Sequence, residues 1–192
     1  MPSKEERRKS IIKASLKIFA KSGFHKAKMQ DIANEAGIGK GTLYEYFDSK
    51  KNLFQEMIKF CINEYKDSLS KALSERESVN EKLETFLVFH SKFLKDHIDM
   101  AQSAMVNSST MSEEMKNFIF KGKHEIFNVV KNIIIEGKKS GELKKDLDEE
   151  IATLAIIGTI NQYCGKKIFH ERANLEKIDP TPPIKILLNG LK

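Results

Sequence analysis

Residues 28–47 read Lys-Met-Gln-Asp-Ile-Ala-Asn-Glu-Ala-Gly-Ile-Gly-Lys-Gly-Thr-Leu-Tyr-Glu-Tyr-Phe, and this stretch decides the fold. Two short apolar-periodic runs, about 29–36 and 40–46, meet at Ala36-Gly37-Ile38. Gly37 permits the positive φ of a tight turn. Ala33 is small enough for two helices to cross closely, and Ile38 can plug the gap beneath the turn. That combination is helix-turn-helix chemistry, in which the second helix enters the DNA major groove.

Outward from this segment the chain reads as all-α. Apolar residues recur at helical spacing and no segment alternates like a strand. Ser3 is a good N-cap for a first helix that ends at Gly23, with Ile11, Ile12, Leu16, Ile18 and Phe19 along its apolar stripe. Ser49 caps a long helix carrying Leu53, Phe54, Met57, Ile58, Cys61, Ile62, Tyr65 and Leu69. Further helices are expected over about 79–95, 98–107, 112–138 and 147–170, and a short one follows the Pro180-Thr181-Pro182-Pro183 segment. The expected organisation is a three-helix DNA-binding domain over 1–48 and a helical regulatory and dimerisation domain over 49–192.

Charge follows the same division. Residues 1–60 carry thirteen Lys and Arg against seven Asp and Glu, while the remainder carries twenty of each, so the whole net charge of +6 sits in the first third. Basic charge confined to one domain suits a polyanion, although a solvated lysine-rich surface has the same composition. There is no secretory leader and no apolar run long enough for a bilayer, so a cytoplasmic protein without a membrane partner is expected. Cys61 and Cys164 lie far apart and read as free buried thiols. A phosphate loop, a His-Glu-x-x-His pair and a metal-spaced Cys/His set are all missing, so neither an enzyme, a metal nor a cofactor is expected.

The run from Phe24-His25-Lys26-Ala27 through Gly41-Thr42-Leu43-Tyr44-Glu45-Tyr46-Phe47-Asp48-Ser49-Lys50-Lys51-Asn52-Leu53 resembles the TetR/AcrR family of repressors over residues 8–55. The resemblance implies site residues. Lys40, Gly41 and Thr42 match groove-facing positions at the start of the recognition helix. Tyr44 and Tyr46 match aromatics that touch the DNA backbone or a base. Lys50 matches a phosphate-gripping lysine at a helix start. Lys28 and Gly39 depart from the Ser or Thr caps frequent there, and Lys28 then offers charge alone. Tyr44 and Tyr46 as packing residues, and Lys28 as plain surface, remain alternatives.

The resemblance also implies a homodimer on palindromic operator DNA, released when a small ligand fills the C-terminal domain. An activator, or a DNA-binding protein without a ligand, shares the same N-terminal half. For the dimer, the helix from Ile151 is apolar on two sides: Ile151, Leu154, Ala155 and Gly158 on one, Ile157, Ile160 and Cys164 on the other. A helix apolar on two faces must bury both. The first face, with Ile184, Leu187 and Leu188 of the last helix, is expected to pair with a second subunit as a four-helix interface, unless one subunit buries both. Candidate ligand residues are Phe86, Phe89, His90, Phe93, Met105, Met115, Phe118, Phe127 and Tyr163, a Phe- and Met-rich set that suits a lipophilic or acyl compound and equally an ordinary core. Residues 136–160 loosely resemble the acyl-CoA-responsive branch of the family.

Overall fold

The computed structural model of the chain describes residues 2–97 and 112–191. Among the described residues there are α-helices and no strands: α1 Lys4–Lys26, α2 Met29–Glu35, α3 Lys40–Tyr46, α4 Lys50–Ser74, α5 Val79–Asp96, α6 Glu113–Ser140, α7 Glu149–Gly165 and α8 Thr181–Leu191. A π turn, Lys166–His170, continues α7, and a 3-10 turn, Leu175–Lys177, precedes α8. The helix expected over 98–107 lies outside the described residues.

These residues form two compact units. One comprises 2–64, His97 and 112–119, the other 65–96 and 120–191. Both α4 and α6 contribute to each.

In the first unit, local chemistry sets the helix ends. Ser3 Oγ accepts from Glu6 N at 3.1 Å while Ser3 N donates to Glu6 Oε2 at 2.6 Å, a reciprocal pair that satisfies two donors at the start of α1. Gly23 breaks the rod at φ +69°, as expected, but one further turn follows it. That turn places Phe24 against Phe54, with ring centroids 4.8 Å apart. Gly37 sits at φ +65° and lets Ile38 N reach back to Ala33 O at 3.0 Å, closing the elbow between α2 and α3. Ser49 Oγ accepts from Asn52 N at 3.0 Å and opens α4. The core beneath is Ile11, Ile12, Phe19, Ile32, Ala33, Leu43, Phe47, Leu53 and Met57, all buried. Leu43 and Phe47 are therefore packing residues that fix α3 while its opposite side stays open.

The core of the second unit is Leu69, Leu83, Phe86, Leu87, Val130, Ile133, Ile134, Ile156, Ile160, Cys164 and Ile184. Asp148 accepts from Ile151 N at 2.9 Å and starts α7 one turn before its apolar run. Beyond Gly165 the helix widens into the π turn and stops before Arg172, which holds a positive φ of 49°. The single helix expected over 147–170 is thus two hydrogen-bonding patterns in series.

At Gly137, α6 passes close to the start of α5 and to the loop that follows α6. A methyl group there would stand 2.5 Å from Val79 Cγ2 and 2.9 Å from Leu143 Cδ1. Gly137→Ala is expected to lower stability by about 1–3 kcal/mol through overpacking, read as a lower midpoint in urea with an unchanged slope. A variant as stable as the parent would show that the start of α5 and the loop after α6 yield freely.

The last helix corrects one expectation. Ile184 and Leu188 are buried in the protomer's own core, 0% and 5% exposed. They are not open surface for a partner. On α8, Leu187 is half-buried and Ile186 is exposed. On α7, Ile160 and Cys164 of the expected inner face are buried but Ile157 is only half-buried, with Ile156 buried in its stead, whereas Ile151, Leu154, Ala155 and Gly158 are exposed.

Candidate DNA-binding face and regulatory core

The elbow presents α3 as a seven-residue rod whose apolar side, Leu43 with the following Phe47, is sealed. Its other side carries the anticipated residues. Lys40 and Gly41 are exposed, Thr42 is half-buried, Tyr44 is 44% exposed and Tyr46 is half-buried. Lys28 is exposed at the N-cap of α2, and Gly39 caps α3; neither supplies a side-chain hydrogen bond to its helix. Lys40, Gly41 and Tyr44 thus stand along the open edge of the rod with Thr42 at its margin, the placement a groove reader requires.

Lys50, anticipated as a phosphate contact, bonds its own chain in the structure. Its Nζ donates to His25 O at 3.1 Å and Ala27 O at 3.0 Å, and lies 4.8 Å above the Phe24 ring. The first turn of α4 is thereby tied to the tail of α1, with two of the three ammonium protons used on the chain itself.

A second tie had no signal in the sequence. The Arg8 guanidinium lies 5.1 Å over the Phe47 ring and is hydrogen-bonded to Glu56, which also accepts from Lys59 at 3.0 Å. Partial burial works against the Glu56 charge, but the bonds from Arg8 and Lys59 outweigh it and hold the carboxyl below its ordinary range. A carboxyl whose folded pKa lies below its unfolded value adds stability above the unfolded value and loses it as pH falls through the folded one. Glu56→Gln is therefore expected to cost about 1 kcal/mol at neutral pH and nothing in acid, checked by thermal melts along a pH series. Parallel curves for both proteins would remove Glu56 from the acid limb.

In the second unit the structure gathers Tyr65, Phe86, Phe89, His90 and Phe93. Tyr65 meets Phe93 edge-on at 4.7 Å and Phe89 at 5.1 Å, and Phe86 lies 6.0 Å from His90. Tyr65 Oη is 3.0 Å from His90 Nδ1. Burial lowers the His90 pKa to about 4 despite an opposing hydrogen bond with Asn161, so the ring is neutral at physiological pH. Burial likewise pushes the Tyr65 hydroxyl up.

The other anticipated ligand residues are dispersed. Phe127 is half-buried and stacks with His124 at 6.3 Å. Tyr163 spends its hydroxyl on Asp179 O at 2.7 Å. Met115, buried, and Phe118, 5.8 Å from Lys59 Nζ, belong to the first unit, and Met105 lies outside the described residues. Among the described residues no group of three or more His, Cys, Asp or Glu is placed to hold a metal, and no helix is long and apolar enough to cross a membrane.

Two family models match the chain: bacterial regulatory proteins of the tetR family over residues 11–57, and the YsiA-like protein C-terminal region over residues 54–181. The chain belongs to the tetR family. This tetR-family regulator is 28% identical over 165 residues to the fatty acid metabolism regulator protein of Bacillus subtilis, with 84% of each chain covered. It is 24% identical over 161 residues to the KstR2 transcriptional repressor of Rhodococcus jostii, covering 78% of this chain and 74% of the other. Its fold is that of FadR from Bacillus subtilis, solved in complex with stearoyl-CoA, with a TM-score of 0.76, 24% identity and coverage of 96% of this chain and 99% of that one. The tetR-family match accounts for the elbow, the open edge of α3 and the all-helical remainder together. Its relatives are DNA-binding transcriptional regulators.

Proposed function

We propose that this tetR-family protein is a cytoplasmic repressor without catalytic activity, binding a two-fold operator as a homodimer and released by a long-chain acyl-CoA. The observation that carries the effector class is the match of residues 54–181 to one C-terminal family, together with the overall likeness to a fatty acid metabolism regulator. The Phe- and Tyr-rich interior of the second unit supports it, since apolar aromatic surface suits an acyl chain.

In this reading residues 1–48 form the DNA-binding domain and 49–192 the regulatory and dimerisation domain. Lys40, Gly41, Thr42 and Tyr44 reach the groove and its flanking phosphates, with Lys28 and Tyr46 at the backbone. Exposed Ile151, Leu154, Ala155 and Gly158 of α7, with Leu187 of α8, form the dimer face. Two recognition helices then read half-sites one turn apart, and acyl-CoA favours a state in which their spacing no longer fits.

The test is to select bound sequences from random DNA, then follow operator anisotropy against stearoyl-CoA, free coenzyme A and free stearate. Release by stearoyl-CoA alone is expected; affinity that stays equal under saturating stearoyl-CoA overturns the effector. Tyr44→Ala is expected to weaken the selected operator about tenfold, a loss of about 1.4 kcal/mol, with an unchanged melting temperature. An unchanged affinity would return Tyr44 to packing.

A further inference from the structure

The compact unit that carries α3 also holds the first turns of α6, residues 112–119. Two attachments within that unit tie them to α4. Gln55 Nε2 donates to Ser112 Oγ at 3.2 Å, and the same oxygen accepts from Met115 N at 3.2 Å, so the cap of α6 is held from α4. The second attachment passes through Glu56 and Lys59 and continues beyond α4.

Five side chains stand in series between α6 and the end of α3. The Lys59 ammonium lies 5.8 Å from the Phe118 ring of α6 and 3.9 Å from Glu114 Oε1. It donates to Glu56 Oε1 at 3.0 Å. The other oxygen of that carboxylate, Oε2, accepts from the Arg8 guanidinium of α1. Arg8 in turn stands 5.1 Å over Phe47, the buried C-cap residue of α3, whose N–H bonds Leu43 O at 3.1 Å. Charges alternate along the series, positive, negative, positive, with an aromatic ring at each end. The three charged side chains are between 22% and 34% exposed, so solvent screens them less than a fully exposed pair. Each carboxylate oxygen has one of the two cations as its donor. Loss of the Lys59 ammonium therefore leaves Oε1 without that donor and lets the carboxylate turn, and the guanidinium over Phe47 moves with it.

We propose that Lys59 is a positioning residue for operator recognition: from the first turns of α6 it sets the Glu56–Arg8 clamp that fixes the C-terminal end of α3. It acts through these neighbours and makes no contact with DNA itself. This rests on α3 being the helix that reads DNA. A clamp at one end of a seven-residue rod sets the angle at which the other end, with Lys40 and Gly41, enters the groove. That angle matters most to base-edge contacts, which carry the sequence preference, and least to the phosphate attraction that any duplex offers. Coupling between the two ends is reciprocal, so a bound operator steadies the first turns of α6.

The test measures anisotropy of the selected operator and of a scrambled duplex of equal length, over a salt series, for the parent, Lys59→Met, Lys59→Arg, Arg8→Met and the double variant of Arg8→Met with Lys59→Met. Lys59→Met is expected to weaken the operator about fivefold, within the usual coupling of residues in one network. Its affinity for the scrambled duplex is expected to stay within twofold of the parent, with the same salt slope. Lys59→Arg is expected to recover the operator affinity, because a guanidinium serves both the carboxylate and the Phe118 ring. The double variant is expected to be no weaker than Arg8→Met alone. Operator affinity of Lys59→Met within twofold of the parent, an equal loss on the scrambled duplex, a lower salt slope, no recovery by Lys59→Arg, or losses that multiply in the double variant overturns the proposal. Hydrogen exchange of the parent needs no variant: the amides of 115–119 are expected to exchange more slowly with operator bound, and an unchanged rate overturns the proposal. A parent that selects no duplex sinks the reading of α3 and the proposal with it, whereas a parent that binds its operator with unresponsive variants sinks the proposal alone.

Discussion

Leu154→Arg is expected to give a folded monomer that no longer holds its operator. Leu154 is 57% exposed in the protomer and Ile151 is 64% exposed, so a charged side chain there displaces nothing from the protomer's core. A substitution of this kind costs the isolated protomer only a few tenths of a kcal/mol. In the dimer the same guanidinium is buried without a partner, which costs roughly 3–5 kcal/mol. Dimerisation then falls by more than about 100-fold. Operator binding follows, because a monomer offers one recognition helix to a two-half-site target. Light scattering, circular dichroism and operator anisotropy separate the outcomes. A dimeric Leu154→Arg protein with parental operator affinity would move the interface off this face of α7.

Lys50→Met is expected to weaken the operator about tenfold while leaving its salt dependence unchanged. Methionine keeps the apolar stem and removes the ammonium that bonds His25 O and Ala27 O. Two charge-assisted bonds at a half-buried site are worth about 2–3 kcal/mol, and their loss is expected to lower the melting temperature by several degrees. The recognition unit is then held less firmly against the first turn of α4. A lysine that instead grips a phosphate contributes about one unit to the slope of log affinity against log salt. Lys40→Met provides the contrast, since Lys40 is exposed at the start of α3 and is expected to lower that slope. A slope that drops equally for Lys50→Met would return it to the DNA backbone.

The features legible in the sequence are those whose cause is local. Ser3, Gly37 and Ser49 each set a helix boundary through bonds within five residues, and α3 spans the anticipated 40–46. The stripe along α4 is buried as its spacing requires, with Ile62 half-buried at its margin. What was not legible depends on partners far along the chain. Arg8 and Glu56 lie 48 positions apart, and nothing near either one announces the pair. Lys50 carries the residue type of a phosphate contact, yet the extra turn after Gly23 brings two carbonyls within its reach. In α8, Ile184, Leu187 and Leu188 read as one stripe, but the helix turns 184 and 188 inward and leaves Ile186 out. Tyr163 reads as a ring for a ligand until Asp179 takes its hydroxyl. Periodicity gives the existence of an apolar face, and only the packed neighbours say which subunit covers it.

Both native thiols are sealed. Cys61 is 2% exposed and burial pushes its thiol up to about 12, while Cys164 is fully covered and likewise raised. Neither presents the thiolate that alkylating reagents need. A cysteine introduced at the exposed position Lys21 therefore becomes the sole site for a maleimide spin label in each subunit, with no background to subtract. Pulsed electron resonance on that dimer yields one inter-label distance, a ruler for how far apart the two reading heads stand before and after acyl-CoA is added.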